Sequence, residues 1–323
     1  MREPPVSERP GRRVASPVVD LTVLVPEEHG ERLLTGLLPA HRVVRYDPDE
    51  PFGAGAESAE VFVPPFRPGA DLVERAMRLP RLRMVQLLTV GADPWITRLP
   101  AGVTLSTCRG AHSVPTAEWV LMVLLAMFRE LPGFLADTRE QRWRPRPTRG
   151  LFGRRVLVVG AGDVGRTIAA RLIPSDCEVT LVGRRGGEGV HPVTALPGLL
   201  GDHDAVVLVV PLTEQTRGLV DAAFLAAMPD GAVLVNAARG AIVDTGALLA
   251  ELRSGRLSAA LDVTDPEPLP AGHELWSAPN LIVTPHIGGA AHGLYERAYR
   301  VAAAQIAAFA AGEEPPNAVR DGY

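Results

Sequence analysis

Short apolar runs rich in Val, Leu and Ala recur along this chain, and between them lie stretches whose apolar positions repeat at helical spacing. Runs at residues 21–25, 61–63, 84–88 and 103–106 predict strands, and residues 31–38 and 71–78 predict helices. Strand and helix alternate, which predicts a first, smaller α/β unit. A longer series begins near residue 155. Its runs at 155–159, 178–182, 205–210, 232–236, 259–262 and 281–284 are continuous, as expected of parallel strands buried on both faces. Helices are predicted from about residue 164, at 221–227, at 245–254 and finally over 290–311.

Between the two series, residues 113–129 are apolar nearly all round and predict a helix buried between domains or subunits. Ser113 and Thr116 are its candidate caps, and Pro115 falls near its first turn. Prolines and arginines crowd residues 139–150 around Trp143 and mark a crossing segment. Residues 1–17, rich in Pro, Arg, Glu and Ser, read as a disordered tail. At 323 residues the chain exceeds one ordinary core, so two domains are expected.

Composition removes several function classes. A formal charge of −4 supplies no basic footprint for nucleic acid. All 33 basic residues are arginine, which excludes Schiff-base chemistry and a phosphate-loop lysine. Cys108 and Cys177 stand far apart without a partner motif, so neither a disulfide framework nor a metal site is expected, and the setting is read as reducing and cytoplasmic. The longest apolar run, 119–128, is about half of what a bilayer-spanning helix needs, and the start of the chain lacks a signal-like apolar stretch.

The segment 156–165, VLVVGAGDVG, runs a buried strand into GxGxxG and then a helix. Gly160 allows the tight turn, Gly162 lets backbone approach a pyrophosphate, and Gly165 permits close packing of helix on strand. With Asp163 and Val164 they form a dinucleotide-binding candidate in which free N–H groups at the helix start face the anion. The side chain of Asp163 is expected to point aside. The next strand ends in Gly183, Arg184 and Arg185, where an acid would otherwise hold the ribose hydroxyls. Arg184 suits a 2′-phosphate instead, so NADPH is the expected coenzyme, with NADH also possible.

Three segments each end a predicted strand: 234–240 with Arg239, 261–268 with Glu267, and 282–289 with His286. Ligands sit beyond the carboxyl ends of parallel strands, so the three can converge at one cleft. A guanidinium holds a carboxylate bidentately, an imidazole titrates in the range for proton donation to a carbonyl oxygen, and a carboxylate beside it orients that imidazole. This is the equipment for reducing a small 2-oxo acid.

The chain resembles the D-isomer-specific 2-hydroxyacid dehydrogenases, a family that includes glyoxylate/hydroxypyruvate reductases and phosphoglycerate dehydrogenases. The resemblance spans roughly residues 60–312 and rests on GAGDVG, PLTEQT at 211–216, NAARGAIVD at 236–244, LDVTDPEPLP at 261–270 and TPHIGG at 284–289. It implies an α/β fold of two Rossmann-like domains with doubly wound parallel sheets and a cofactor cleft between them. Residues 18–112 and 287–323 would form the substrate domain, and 113–286 the dinucleotide domain. Arg239 would bind substrate, His286 donate the proton and Glu267 be its partner. Asp262 would hold the nicotinamide carboxamide, Thr116 would lie against the nicotinamide side of the cleft, and Pro211 and Arg239 would border the cofactor. TVGAD at 89–93 resembles the family's carboxylate loop, with the N–H groups of Val90 and Gly91 as donors.

The resemblance also implies a homodimer through helix 113–129. Trp143 then either reaches a neighbouring subunit's cleft or anchors its own crossing segment. Phe66, Arg67 and the region of Trp95 are expected in the substrate wall, although simple loop packing also accounts for Phe66. The chain ends soon after its last predicted helix, so no appended regulatory domain is expected. Glu267 stands where formate dehydrogenases of the superfamily carry glutamine. The rival reading is a dinucleotide-sensing binding protein akin to the corepressors of this fold; a further one is oxidation of a one-carbon or phosphorus donor.

Overall fold

The computed structural model describes residues 20–320, so the tail expected over 1–17 lies outside the described residues. Two sheets of parallel strands carry the fold. The first contains β1 (Thr22–Val25), β2 (Arg42–Arg45), β3 (Val61–Phe62), β4 (Met84–Gln86) and β5 (Thr104–Ser106), with α1 (Glu28–Leu37), α2 (Ala70–Met77) and the short α3 (Asp93–Ile96) between them. Its strand order is β2-β1-β3-β4-β5. After α4 (Ser113–Phe128) and α5 (Leu131–Arg139) the second sheet follows. It comprises β6 (Arg155–Val159), β7 (Glu178–Gly183), β8 (Val190–Pro192), β9 (Ala205–Leu208), β10 (Val233–Asn236), β11 (Ser258–Leu261) and β12 (Leu281–Val283). Helices α6 (Asp163–Leu172), α7 (Leu196–Leu199), α8 (Ala222–Ala227) and α9 (Thr245–Ser254) lie between those strands, and α10 (Leu294–Ala310) comes last.

The second sheet is ordered β12-β11-β10-β9-β6-β7-β8. From β6 the chain winds one way through β7 and β8, then returns to β9 and winds the other way. The reversal leaves a crevice beyond the ends of β6 and β9, the place where doubly wound sheets receive ligands. Both faces of this sheet are buried. Along β6, Val156 and Val158 pack with Val120, Leu124 and Ile168, while Leu157 and Val159 pack with Leu225, Leu248 and Leu252. That two-sided burial explains the unbroken apolar runs.

The first sheet is covered on one face by Leu72, Trp95 and their neighbours, and on the other by Tyr299, Ala302 and Ile306 of α10. The chain's last helix thus completes the core of its first sheet. Ala318 forms an antiparallel bridge to Ser106, and the N–H of Val319 donates to the Leu105 carbonyl, so the closing segment lies along the β5 edge. Helix α4 starts at Ser113, but neither Ser113 nor Thr116 caps it. His112 is the cap residue and makes no side-chain cap bond, while Ser113 and Thr116 are buried inside the helix. One side of α4 joins the second core through Val120, Val123 and Leu124; Val114, Met122 and Leu125 remain exposed.

At the opposite end of β6 from the crevice, Asp204 accepts from the Arg154 side chain at 2.7 Å and from the Arg155 N–H at 2.9 Å. Partial burial is the largest influence on its carboxyl and pushes the pKa up, but these donors outweigh it and leave the net value below the ordinary one. The stabilisation is therefore present above the unfolded carboxylate range and lost as pH falls through the lower folded value. Asp204→Asn is expected to cost about 1 kcal/mol at neutral pH, reduced from the charged-bond range by solvent screening. Urea unfolding should show the gap from wild type closing in acid.

Candidate active site

The crevice opens on the glycine loop. Gly160 has φ +122°, and a Cβ there would run into the Val209 carbonyl; one on Gly165 would overlap the Gly160 carbonyl. Both positions need glycine for the loop to close on the sheet. Gly162 differs. It caps α6, and a Cβ on it would meet nothing within 4 Å. Its bareness serves no internal packing and leaves the helix N-terminus open to an anion, so the residues fit a dinucleotide pyrophosphate. Val164 is partly buried behind the loop. The carboxylate of Asp163 is turned to the Ser113 hydroxyl, which donates to it, so its charge is directed at α4.

Gly183 ends β7 where a Cβ would stand 3.1 Å from Val190 Cγ1 and 3.3 Å from Ala161 Cβ. Arg184 and Arg185 follow it, both exposed. Across the crevice, beyond β9, the exposed Pro211 accepts at its carbonyl a 2.6 Å bond from the Thr216 hydroxyl. Thr116 is buried in α4.

Strands β10, β11 and β12 are neighbours in the sheet, and their carboxyl ends launch Arg239, Glu267 and His286. Asn236 shapes the first of these loops. Its side chain donates to the Arg239 carbonyl at 2.9 Å and accepts from the Ala238 N–H at 3.0 Å. Gly240 lies flat on the backbone of Thr264 and Asp265, where a Cβ would clash, so the Arg239 loop abuts the segment leading to Glu267. Glu267 Oε1 is 2.6 Å from His286 Nδ1. Burial of the Glu267 carboxyl is the largest influence and raises its pKa, but the bond from His286 and the charges of His286 and Arg67 hold it below the ordinary value. A carboxylate at Nδ1 fixes that nitrogen as the donor and leaves Nε2 for chemistry.

Asp262, only 4% exposed, underlies the His286 loop. Its Oδ1 accepts from the Thr284 hydroxyl at 2.7 Å and the Ile287 N–H at 2.8 Å, and its Oδ2 from the Gly288 N–H at 2.7 Å. Trp119 of α4 donates in turn to Thr284 at 3.1 Å. Between these anchors His286 takes φ +55°, a left-handed conformation that a histidine holds only where its surroundings impose it.

The first sheet contributes the loop after β4. Val90 and Gly91 are partly buried there, and the Arg239 guanidinium lies against Gly91 so closely that a Cβ would overlap it. Arg67, exposed beyond β3, reaches within 3.4 Å of the Pro285 carbonyl and 3.5 Å of that of His286. Phe66 packs edge-on against Tyr295 and His112. Within the region expected in the substrate wall, Trp95 itself is enclosed at 2% exposure with Phe62 and Leu72 in the core, whereas its neighbour Asp93 reaches Arg239. A large indole after a polar loop had no partner visible in sequence. Asp93 accepts from Arg239 Nε at 3.0 Å, a contact that was not expected from the sequence. Its signal was present, as the last letter of TVGAD, but the partner lies in the other sheet.

The family pattern described as "D-isomer specific 2-hydroxyacid dehydrogenase, NAD binding domain" matches residues 121–288, just over half of the chain. A glyoxylate reductase of Thermococcus kodakarensis is 34% identical over 259 residues, covering 74% of this chain and 77% of that protein. The chain belongs to the D-isomer-specific 2-hydroxyacid dehydrogenases. It is thus an NAD(P)-dependent oxidoreductase with two parallel-sheet α/β domains. A D-3-phosphoglycerate dehydrogenase of Mycobacterium tuberculosis is 33% identical over 260 residues, covering 75% of this chain and 48% of that protein. Among solved structures, a family member from Xanthobacter autotrophicus Py2 in complex with NADPH and MES superimposes with a TM-score of 0.82 at 33% identity, covering 94% of this chain and all of that one. An NADPH-dependent glyoxylate/hydroxypyruvate reductase from Sinorhizobium meliloti, in complex with NADP and sulfate, gives 0.80 at 28% identity, with 94% and 100% covered.

For this dehydrogenase, Gly162→Ala separates folding from coenzyme binding. The added methyl meets no protein atom within 4 Å, so the thermal midpoint is expected to stay within about 1 °C, less than a ~1 kcal/mol change produces. The methyl would obstruct the pyrophosphate's approach, and NADPH affinity measured by fluorescence titration is expected to fall at least tenfold, about 1.4 kcal/mol.

Proposed function

We propose that this enzyme reduces a small 2-oxo acid of the glyoxylate/hydroxypyruvate class to the D-2-hydroxy acid, with His286 as the general acid. The observation that carries the reading is the 2.6 Å contact of His286 Nδ1 with Glu267, on loops beside the one that lays Arg239 over Gly91. When bound, the reduced nicotinamide supplies the hydride. Arg239 and the N–H groups of Val90 and Gly91 hold the substrate carboxylate. His286 Nε2 gives its proton to the carbonyl oxygen as negative charge develops there, and Glu267 stabilises the imidazolium beforehand and keeps the ring oriented. Asp262 and Thr116 line the nicotinamide side, and Pro211 borders the coenzyme.

NADPH is the preferred coenzyme in this reading. Arg184 and Arg185 stand exposed just past β7, and charge-assisted bonds to a 2′-phosphate are worth about 1.5–3 kcal/mol. The named complexes of relatives with NADPH and NADP support the same choice. A homodimer through α4 and α5 is supported by their exposed apolar side chains, Val114, Met122, Leu125, Leu131 and Leu135. The 95% exposure of Trp143 supports a contact with the neighbouring subunit. The reading keeps a substrate domain of 18–112 with 287–323 and a dinucleotide domain of 113–286, supported by the packing of Tyr299, Ala302 and Ile306 with the first sheet and of Val120, Val123 and Leu124 with the second. Two buried free thiols, Cys108 and Cys177, suit a reducing cytoplasm. No single helix among the described residues is long and apolar enough to cross a membrane.

The test is loss of nicotinamide absorbance on mixing the protein with glyoxylate or hydroxypyruvate and either coenzyme. Turnover is expected, with kcat/KM for NADPH at least tenfold above that for NADH, a difference of about 1.4 kcal/mol. His286→Ala should cost roughly 10²–10⁴ in kcat with NADPH affinity retained. Absence of turnover across a panel of 2-oxo acids would instead leave a dinucleotide sensor.

Glu267→Gln tests the pairing. An amide at Nδ1 no longer fixes that nitrogen as the donor by its charge, so kcat for the 2-oxo acid is expected to fall at least tenfold with NADPH affinity retained, and an unchanged kcat would take Glu267 out of the mechanism.

A further inference from the structure

We infer that Asp93 is the positioning residue for the Arg239 clamp. This inference rests on the reading of Arg239 as the carboxylate-binding group and adds what aims it. Asp93 and Arg239 are 146 residues apart and arise from different sheets, yet Asp93 Oδ2 accepts from Arg239 Nε at 3.0 Å. On its other side Arg239 Nη1 donates to the Ala238 carbonyl at 2.6 Å. Two acceptors fixed at Nε and Nη1 define the plane of the guanidinium and block rotation of its long stem. Nη2 is then directed over Gly91, where even a methyl group would overlap it. The planar fork is thereby preset, before any ligand arrives, against the loop whose N–H groups share the same anion.

Asp93 is itself held firmly. It opens the short helix α3, and two residues later Trp95 is sealed in the core against Phe62 with ring centroids 6.1 Å apart. The loop before it is braced by the Thr89 hydroxyl, which donates to the Gly91 carbonyl at 2.9 Å. The ion pair is a weak candidate for a purely stabilising contact, because both side chains keep more than a quarter of their surface in solvent. Its acceptor comes from the first sheet and its donor from the second, so the clamp has its aim only when the two domains are apposed.

Charge and aim oppose each other at this position, and that makes the inference decidable. A carboxylate beside the substrate's own carboxylate repels it, so neutralising Asp93 would, by charge alone, tighten anion binding. Loss of aim would weaken it. Wild type, Asp93→Asn and Asp93→Glu are to be compared in three measurements: glyoxylate reduction with NADPH, calorimetric titration of oxalate into the enzyme saturated with NADP, and urea unfolding. Asp93→Asn is expected to raise the glyoxylate KM and the oxalate Kd at least tenfold. Its kcat should change less than its KM, with NADPH affinity and urea midpoint kept. Asp93→Glu, which restores the charge one methylene further out, should retain oxalate better than Asp93→Asn.

An unchanged or lowered KM and oxalate Kd in Asp93→Asn overturns the inference. So does a rise accompanied by equal loss of NADPH affinity and a lower urea midpoint, which marks a merely structural residue. If wild type turns over glyoxylate and Asp93→Asn is unaffected, the inference fails and the functional reading stands. If wild type is inert toward glyoxylate but binds oxalate in an Asp93-dependent way, the functional reading fails and the clamp stands. A wild type that neither turns over nor binds oxalate overturns both.

Discussion

A carboxylate shut away from solvent beneath the ends of β11 and β12 governs the geometry of the site. Burial strips Asp262 of water, and such a group persists only where donors replace the solvent. Three do so, and all three belong to residues 284–288. The loop is thereby folded tightly round Asp262, which forces His286 into its left-handed conformation at the rim. From that rim the imidazole meets Glu267, arriving from the neighbouring strand. The pairing of His286 with Glu267 is thus set by a residue that sits below it.

The same economy runs through the coenzyme side. A parallel sheet buried on both faces gives its strands no freedom to shift, so the loops at their carboxyl ends inherit fixed origins. The glycines then decide how closely backbone approaches backbone. Gly165 and Gly240 do this for the protein's own packing, whereas Gly162 leaves space that no protein atom uses.

Much of this was legible in the sequence, and the reasons are local. The strands of the second sheet announced themselves because two-sided burial demands unbroken apolar runs, and the glycine loop because its spacing follows from turn geometry. Arg239, Glu267 and His286 could be grouped because each follows a strand at a predictable end. Other features escaped. Strand β2 reads RVVR, with arginines at both ends and only two partly buried valines, as befits an edge. Strand β8 is three residues long and ends in proline. Helix α5 opens on Leu131, Pro132 and Gly133, a sequence that signals a turn. The burial of Trp95 is not legible, because nothing nearby in sequence discloses that Phe62 and Leu72 enclose it. Asp93 lay in plain view within TVGAD, but its meaning depends on a contact across two sheets, and no periodicity encodes that.

The seating of α10 on the first sheet has a consequence for the order in which the protein comes into being. One face of β1, β3 and β4 is covered by Tyr299, Ala302 and Ile306, and the β5 edge by residues 318 and 319. On the ribosome these residues emerge only after β12, whereas everything the second sheet's core needs has been made once β12 is complete. The half synthesised first must therefore wait, open on one face and one edge, while the part inserted into it finishes folding. Bare strand edges of that kind invite mispairing with other chains. The interval between translation of β12 and arrival of α10 is consequently when the nascent protein most needs shielding.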